Sequence, residues 1–241
     1  MAITAQKTGF LSHLQQHWPF PRRLPDCTLV SACFREQAVH PQLFDHYALA
    51  MPQGAIKRQA EFLAARLCAG EALRLQTGRA QLPRQQADSR IPLWPAHSCG
   101  SLSHSHSICA AIVGQSRSWQ SLGLDIEKPL SAQRAQRIAT TVLSAKEYTT
   151  YEQLDSGLRA RYVTLVFSLK ESLFKALNPL TGSYFGFQDA QVLELDLTEQ
   201  GHALLRLSKD LSAQWPAGSE LSGQFSQLHG STLSLVGVAS R

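Results

Sequence analysis

A helical repeat over residues 55–76, stopped by Gly78, sits among short strand-like runs, and this mixture restricts the chain to an α+β arrangement. Within it Ala60, Leu63, Ala64 and Leu67 recur on one face. Before it, residues 28–34 read as a buried strand and 41–51 as helical; after it, 80–100 carry Pro, Gln and Ser with no clear period. Residues 108–113 and 121–126 are two further strand-like runs with turn residues between them. From Pro129 onward three helices are predicted. Ser131 caps one, the Ser144–Glu147 capping box opens the next, and a third over 161–177 ends at Asn178-Pro179. The remainder predicts strands over 191–197, 202–207, 222–229 and 232–238, the last two turning at Gly230. Each half has helices beside a few strands, so the expected organisation is two α+β lobes, residues 1–127 and 128–241. No sequence repeat demonstrates a duplication.

Composition narrows the functional classes. Of 241 residues 44% are hydrophobic and 17% charged, which excludes a disordered, collagen-like or coiled-coil chain. A net charge of +5 favours anionic partners: nucleic acid, a phosphorylated small molecule or an acidic protein. The five cysteines are odd in number and form no CxxC pair, which argues against a disulfide framework and for reduced thiols in a cytosol. Residues 1–7 and the following Phe10-Leu11-Ser12-His13 are too polar for a signal-peptide core, and no apolar run reaches the roughly 18–20 residues of a membrane helix. The expectation is a soluble cytoplasmic protein with no membrane partner.

Four places can carry chemistry. In Gly123-Leu124-Asp125-Ile126-Glu127 the strand alternation points Asp125 and Glu127 to one side while Leu124 and Ile126 face the core. Paired carboxylates repel unless solvated, protonated or neutralised; Mg²⁺ binds one or two such groups and completes its shell with water and phosphates. An exposed strand end with a solvated acidic pair is the alternative. In the helix Phe167-Ser168-Leu169-Lys170-Glu171-Ser172-Leu173-Phe174-Lys175, Ser168, Glu171 and Lys175 share a face apart from the stripe of Val166, Leu169, Leu173 and Leu177. That face offers a third carboxylate and an ammonium for phosphate, or only an i,i+4 ion pair. The segment 101–107, Ser-Leu-Ser-His-Ser-His-Ser, surrounds His104 with hydroxyls able to bind a phosphate, or forms a polar turn. Zinc held by His104, His106, Cys99 and Cys109 is a further alternative, though the spacing fits no standard ligand pattern. Finally, Lys57, Arg58 and Arg66 give a basic helix face, either merely solvated or gripping phosphate oxygens.

Taken in order, Arg58-x-x-Glu61-Phe62…Arg66, then Ser103-His104, then Gly123-x-Asp125-x-Glu127, then Phe167-Ser168-x-Lys170-Glu171-x-x-x-Lys175 resembles the 4′-phosphopantetheinyl transferases of surfactin type, in particular the enterobactin synthase component D-like group. The resemblance covers roughly residues 50–180. It implies an α+β fold of two similar lobes about a pseudo-two-fold axis, with the active site in the cleft between them. It implies a transferase moving the phosphopantetheine arm of coenzyme A to a serine of an apo acyl, polyketide or peptidyl carrier protein, as in holo-[acyl-carrier-protein] synthases of fatty-acid or siderophore biosynthesis. Adenosine 3′,5′-bisphosphate is released.

The resemblance also assigns roles. Asp125, Glu127 and Glu171 match the metal-binding carboxylates for Mg²⁺, with Glu171 as first candidate for the base and Glu127 second. Lys170 and Lys175 match lysines near the pyrophosphate. Arg58, Arg66, Ser103 and His104 fall where the family grips coenzyme A phosphates. The chain is expected to act as a monomer, without nucleic acid. Phe167 stands where tryptophan is frequent, Leu124 where Val or Ile is common, and Ser89-Arg90-Ile91-Pro92 replaces a Gly-x-Pro turn, with Arg90 in reach of the coenzyme on this resemblance. Another Mg²⁺-dependent nucleotide phosphotransferase or hydrolase and a non-enzymatic nucleic-acid-binding protein are the competing classes. No clustered Lys/Arg run or RNA-binding aromatic signature favours the latter.

Overall fold

The computed structural model describes residues 9–86 and 91–240, so the amino-terminal residues 1–7 and the Ser89-Arg90 pair discussed above lie outside the described residues. The chain divides into two compact units. One holds the chain up to Trp119 without residues 19–23, together with Ser240; the other holds residues 19–23 and 120–239.

The first unit contains β1 (Leu11–Gln16), β2 (Cys27–Phe34), the short α1 (Pro41–His46), the long α2 (Ile56–Thr77), a two-residue pair β3 (Arg84–Gln85) and β4 (Pro92–Leu93), β5 (Ser98–Ser105) and β6 (Ile108–Gln115). Its main sheet runs β1-β2-β6-β5, every pairing antiparallel. The periodic face of α2 packs on this sheet: Ala60, Leu63, Ala64 and Leu67 share a core with Val30, Ala111 and Val113. Gly78, at φ 75°, ends the helix as its sequence position foretells. Helix α1 stops at His46 rather than near Met51, because Ala48 takes a left-handed φ of 50°.

The polar segment 101–107 is not a loop. Strand β5 runs through Ser105, and the turn is confined to His106 and Ser107, with φ 47° and 65°. Cys99, Ser101 and Ser103 are its buried positions. Small hydroxylated side chains fill the inward side, so the apolar alternation that announces a strand is missing from the sequence.

The second unit contains β7 (Trp119–Glu127), α3 (Ala132–Val142), α4 (Ala145–Gln153), α5 (Ser156–Thr181), β8 (Ala190–Leu195), β9 (Gly201–Leu207), β10 (Glu220–Leu228) and β11 (Ser231–Ala239). The sheet order is β7-β11-β10-β9-β8. Because β7 is hydrogen-bonded to β11, the division falls at Trp119/Gln120 and not after Glu127, where the sequence reading put it. Leu169, Leu173, Ala176 and Leu177 of α5 share a core with Leu205, Leu221 and Val236 of the sheet. Helix α5 also outruns its expected stop. Pro179 lies inside its last turn, where the helix goes on without the N–H that would bond the Lys175 carbonyl, and Gly182 at φ 63° ends it.

Gly123 decides how β7 meets α5. A Cβ at this position would stand 1.8 Å from the Ser172 carbonyl oxygen and 2.7 Å from the Ala176 amide nitrogen. Only glycine lets the two backbones touch there, and the touch puts Asp125, two residues along the strand, against the helix face carrying Ser168, Glu171 and Lys175.

Candidate functional site

In the second unit, the predicted carboxylates are gathered by this crossing. Asp125 is 4% exposed, which excludes the solvated-strand-end alternative for this residue. The Lys175 ammonium donates to Asp125 Oδ1 at 2.6 Å and to the Leu124 carbonyl at 3.0 Å, and Ser168 Oγ donates to Asp125 Oδ2 at 2.9 Å. Glu127 and Glu171 are half-buried beside them. Burial, reinforced by the charge of Asp125 and opposed by Lys175, pushes the Glu127 carboxyl up to about 7. The Glu171 charge raises Glu127 as well, and Arg134 works against it. Glu171 is itself raised, by burial first and then by Asp125. Three carboxylates therefore crowd one ammonium, and negative charge is in excess.

Such a donor set fits a hard divalent cation. Among the described residues no three His, Cys, Asp or Glu groups enclose a metal by themselves. The fit is therefore to an ion that takes one or two carboxylates from the protein and its other oxygens from water and phosphate, the habit of Mg²⁺. The same observation removes the zinc alternative at His104, His106, Cys99 and Cys109. Cys109 is instead beside Cys68, Sγ to Sγ 3.3 Å, in the core.

Lys170 is placed differently from its expected role near a pyrophosphate. Its side chain is 2% exposed, and its three N–H donors go to Val142 O at 2.9 Å, Glu147 Oε2 at 2.7 Å and Phe187 O at 2.8 Å. An ammonium has three donors, and all are used inside the unit. Glu171, Phe174, Tyr184, Phe185, Gly186 and Phe187 wall a cavity of about 240 Å³ next to it.

Sequence reasoning did not single out Ser234. Its hydroxyl lies 2.7 Å from both Ser168 Oγ and Ser172 Oγ, and it donates to the Ser168 carbonyl at 2.8 Å. This network orients the hydroxyl that holds Asp125. A serine in a strand carries no local signal of such a bond.

The first unit holds the other candidate residues. Arg58, Glu61, Phe62, Ala65 and Arg66 of α2 line a cavity of about 350 Å³ with Gln85 and with Leu102 and His104 of β5. The Arg66 guanidinium lies 3.6 Å above the Phe62 ring, and its Nε is buried with no hydrogen-bond partner among the described residues. Burial lowers its pKa to about 10, so it remains a cation at neutral pH. His104 Nδ1 is 3.6 Å from Glu61 Oε1. Arg58 is exposed at the rim. Ser103 does not join them: neighbouring strand residues face opposite sides, and Ser103 is buried on the other face of β5.

Comparison with known proteins identifies the family. Residues 46–114 match the model of the 4′-phosphopantetheinyl transferase N-terminal domain, and residues 121–230 match that of the 4′-phosphopantetheinyl transferase superfamily. Enterobactin synthase component D of Salmonella typhimurium is 33% identical over 190 residues, covering 77% of this chain and 76% of the relative. Its counterpart in Escherichia coli K12 is 37% identical over 150 residues, 61% of this chain and 67% of that one. A 4′-phosphopantetheinyl transferase of Nocardia iowensis is 31% identical over 136 residues, 56% of this chain and 59% of the relative. With a sheet-and-helix unit for each of the two matched models, and a relative 33% identical over three quarters of both chains, the chain belongs to the 4′-phosphopantetheinyl transferase superfamily.

Proposed function

We propose that the chain transfers the 4′-phosphopantetheine arm of coenzyme A to a serine of an apo carrier protein, with the acidic cluster of Asp125, Glu127 and Glu171 supplying one or two ligands to Mg²⁺ and the remaining carboxylate free to act as base, and with Arg66 and His104 holding coenzyme phosphates. The activity follows from the family. The observation that carries the residue roles is the excess of carboxylates around Lys175, which a divalent cation bound to pyrophosphate would balance.

In the reaction the serine oxygen forms a bond to the phosphorus bearing the pantetheine. The bond from that phosphorus to the bridging oxygen breaks, and adenosine 3′,5′-bisphosphate leaves with the electron pair. Mg²⁺, when bound by this acidic cluster, would offset negative charge on the phosphoryl oxygens. Lys175, part-exposed and fixed by Asp125, adds a second positive charge at the same end of α5. Glu171 takes the serine proton, directly or through water, and Glu127 is the alternative base. Ser168 and Ser234 keep Asp125 in one orientation. In the first unit, the Arg66 Nε, unpartnered among the described residues, and the His104 ring offer donors to a phosphate, and the Arg66 guanidinium lies over the Phe62 ring. Lys170 and Ser103 have no part in this grip.

Carriers of the siderophore class are the first substrates to try, because relatives are named enterobactin synthase components; carriers of fatty-acid synthesis follow, as for a holo-[acyl-carrier-protein] synthase. The test is intact-mass analysis of both carrier types after incubation with the protein, coenzyme A and Mg²⁺. A gain of one phosphopantetheine is expected, abolished in Glu171→Gln. Consumption of coenzyme A without any carrier would favour a hydrolase instead.

A further inference from the structure

We propose that Glu147 and Lys170 form a positioning pair that holds the metal-binding face of α5 and the wall of the cavity beside it, an inference that rests on the reading of Glu171 as a ligand or base. Lys170 ties four pieces of the second unit at one atom. Its ammonium sits on α5 and reaches the last carbonyl of α3 at Val142, the Glu147 carboxylate of α4, and the Phe187 carbonyl just before β8. Glu147 is equally committed. Its Oε1 accepts the Val192 amide of β8 at 2.6 Å, and its Oε2 accepts the Ser144 amide at 2.6 Å together with Lys170. The two side chains are 2% and 1% exposed, and every donor of one and both oxygens of the other are satisfied.

Two buried charges are costly to desolvate, and a well-packed apolar pair would hold the helices at least as well. What an apolar pair lacks is direction. The residue after Lys170 is Glu171, so fixing the ammonium fixes the turn of α5 from which Glu171 projects. The Phe187 carbonyl is held by the same ammonium, and residues 185–187 face Glu171 across the cavity. The pair therefore sets both the carboxylate and the wall opposite it. Partners behind a metal ligand act in this way elsewhere, and their loss lowers metal affinity or activity by about 10- to 100-fold.

The decisive variant is the double Glu147→Gln/Lys170→Met, which removes both charges together and so leaves no buried ion alone. Three readouts are taken on the full chain: thermal unfolding, the KM for Mg²⁺ with kcat, and amide hydrogen exchange of residues 183–189 without metal. The expected result is a folded protein whose kcat/KM toward Mg²⁺ falls about tenfold or more. Exchange at 183–189 should rise, while affinity for adenosine 3′,5′-bisphosphate, bound by the first unit, stays as in the parent. A folded double variant with parental kinetics and parental exchange overturns the proposal, since a plain packing brace would change only the melting temperature. Should the double variant not fold, Glu147→Asp decides by the same readouts: it keeps the charge but shortens the reach, so parental kinetics and exchange there also overturn the proposal. Glu171→Gln is measured in parallel. Full activity in that variant sinks the role of Glu171 itself, whereas an inactive Glu171→Gln beside an unaffected Glu147 variant sinks only the pair.

Discussion

Arg66 shows how much one side chain's surroundings add to its identity. On the sequence it is one of several basic residues on a helix. In the structure it is 4% exposed, with its guanidinium carbon 3.6 Å from the centre of the Phe62 ring and a buried Nε that no described group satisfies. A buried unsatisfied donor costs about 1–3 kcal/mol, so a ligand that supplies an acceptor recovers that energy on binding. Arg66→Ala should therefore weaken coenzyme A by about 1.5–3 kcal/mol, the worth of a charge-assisted hydrogen bond, and should weaken 3′-dephospho-coenzyme A much less. Calorimetric titration of both ligands measures this; equal losses would assign Arg66 to another part of the coenzyme. The acids were legible in sequence for a simple reason. Asp125 and Glu127 are two apart on a strand, and Glu171 and Lys175 four apart on a helix, so local periodicity alone assigns their faces. The fate of Lys170 was not legible, because it depends on Glu147 and on two carbonyls that are distant in the chain.

Elements rather than residues bring those faces together, and Gly123 is where that depends on a single atom. An added methyl would overlap the Ser172 carbonyl of α5. Neither backbone has a flexible end that can yield, so β7 or α5 must shift. Gly123→Ala should lower stability by about 1–3 kcal/mol, the usual range for overpacking, and should lower transfer by more than the stability loss explains. Urea unfolding and turnover, both measured where the variant is fully folded, separate the two effects; a folded variant with parental turnover would show that the β7–α5 approach does not set the site. The glycine itself stands out in the motif, but its reason does not, since the contact spans two elements far apart in sequence. Other elements were legible wherever a local rule governed them. The Ser144–Glu147 capping box is present as expected, and Gly230 turns the β10–β11 hairpin. Strand β5 was missed because serines occupy its buried side, and the end of α5 was misplaced because the helix continues two residues past Pro179 to the left-handed Gly182.

At the scale of the whole molecule, the excess of cations bears on the partner rather than the fold. The chain carries +5, so an acidic carrier would meet it with opposite charge. Opposite net charges speed diffusional encounter, and salt screens them as the Debye length falls from roughly 10 Å at 0.1 M to 3 Å at 1 M. Some of the positive charge lies close to the acids: Lys128, Arg134 and Arg137 are exposed in the segment after Glu127, and the Arg134 charge acts on the Glu127 carboxyl. Arg137 follows Arg134 by one helical turn on α3 and is exposed, which makes it the cation to test for encounter. With coenzyme A and Mg²⁺ saturating, kcat/KM for an apo carrier should fall steadily across that salt range. Arg137→Glu should reduce it at low salt and converge on the parent at 1 M, with kcat unchanged throughout. Those curves separate steering from docking on apolar surface, because burial of apolar area gains no strength from dilution of salt. A flat parental curve would reject steering and move attention to exposed aromatic surface such as Tyr184, which is 80% accessible beside the cavity next to Glu171. A steep parental curve with an unaffected Arg137→Glu would instead keep steering and assign it to other cations of the chain.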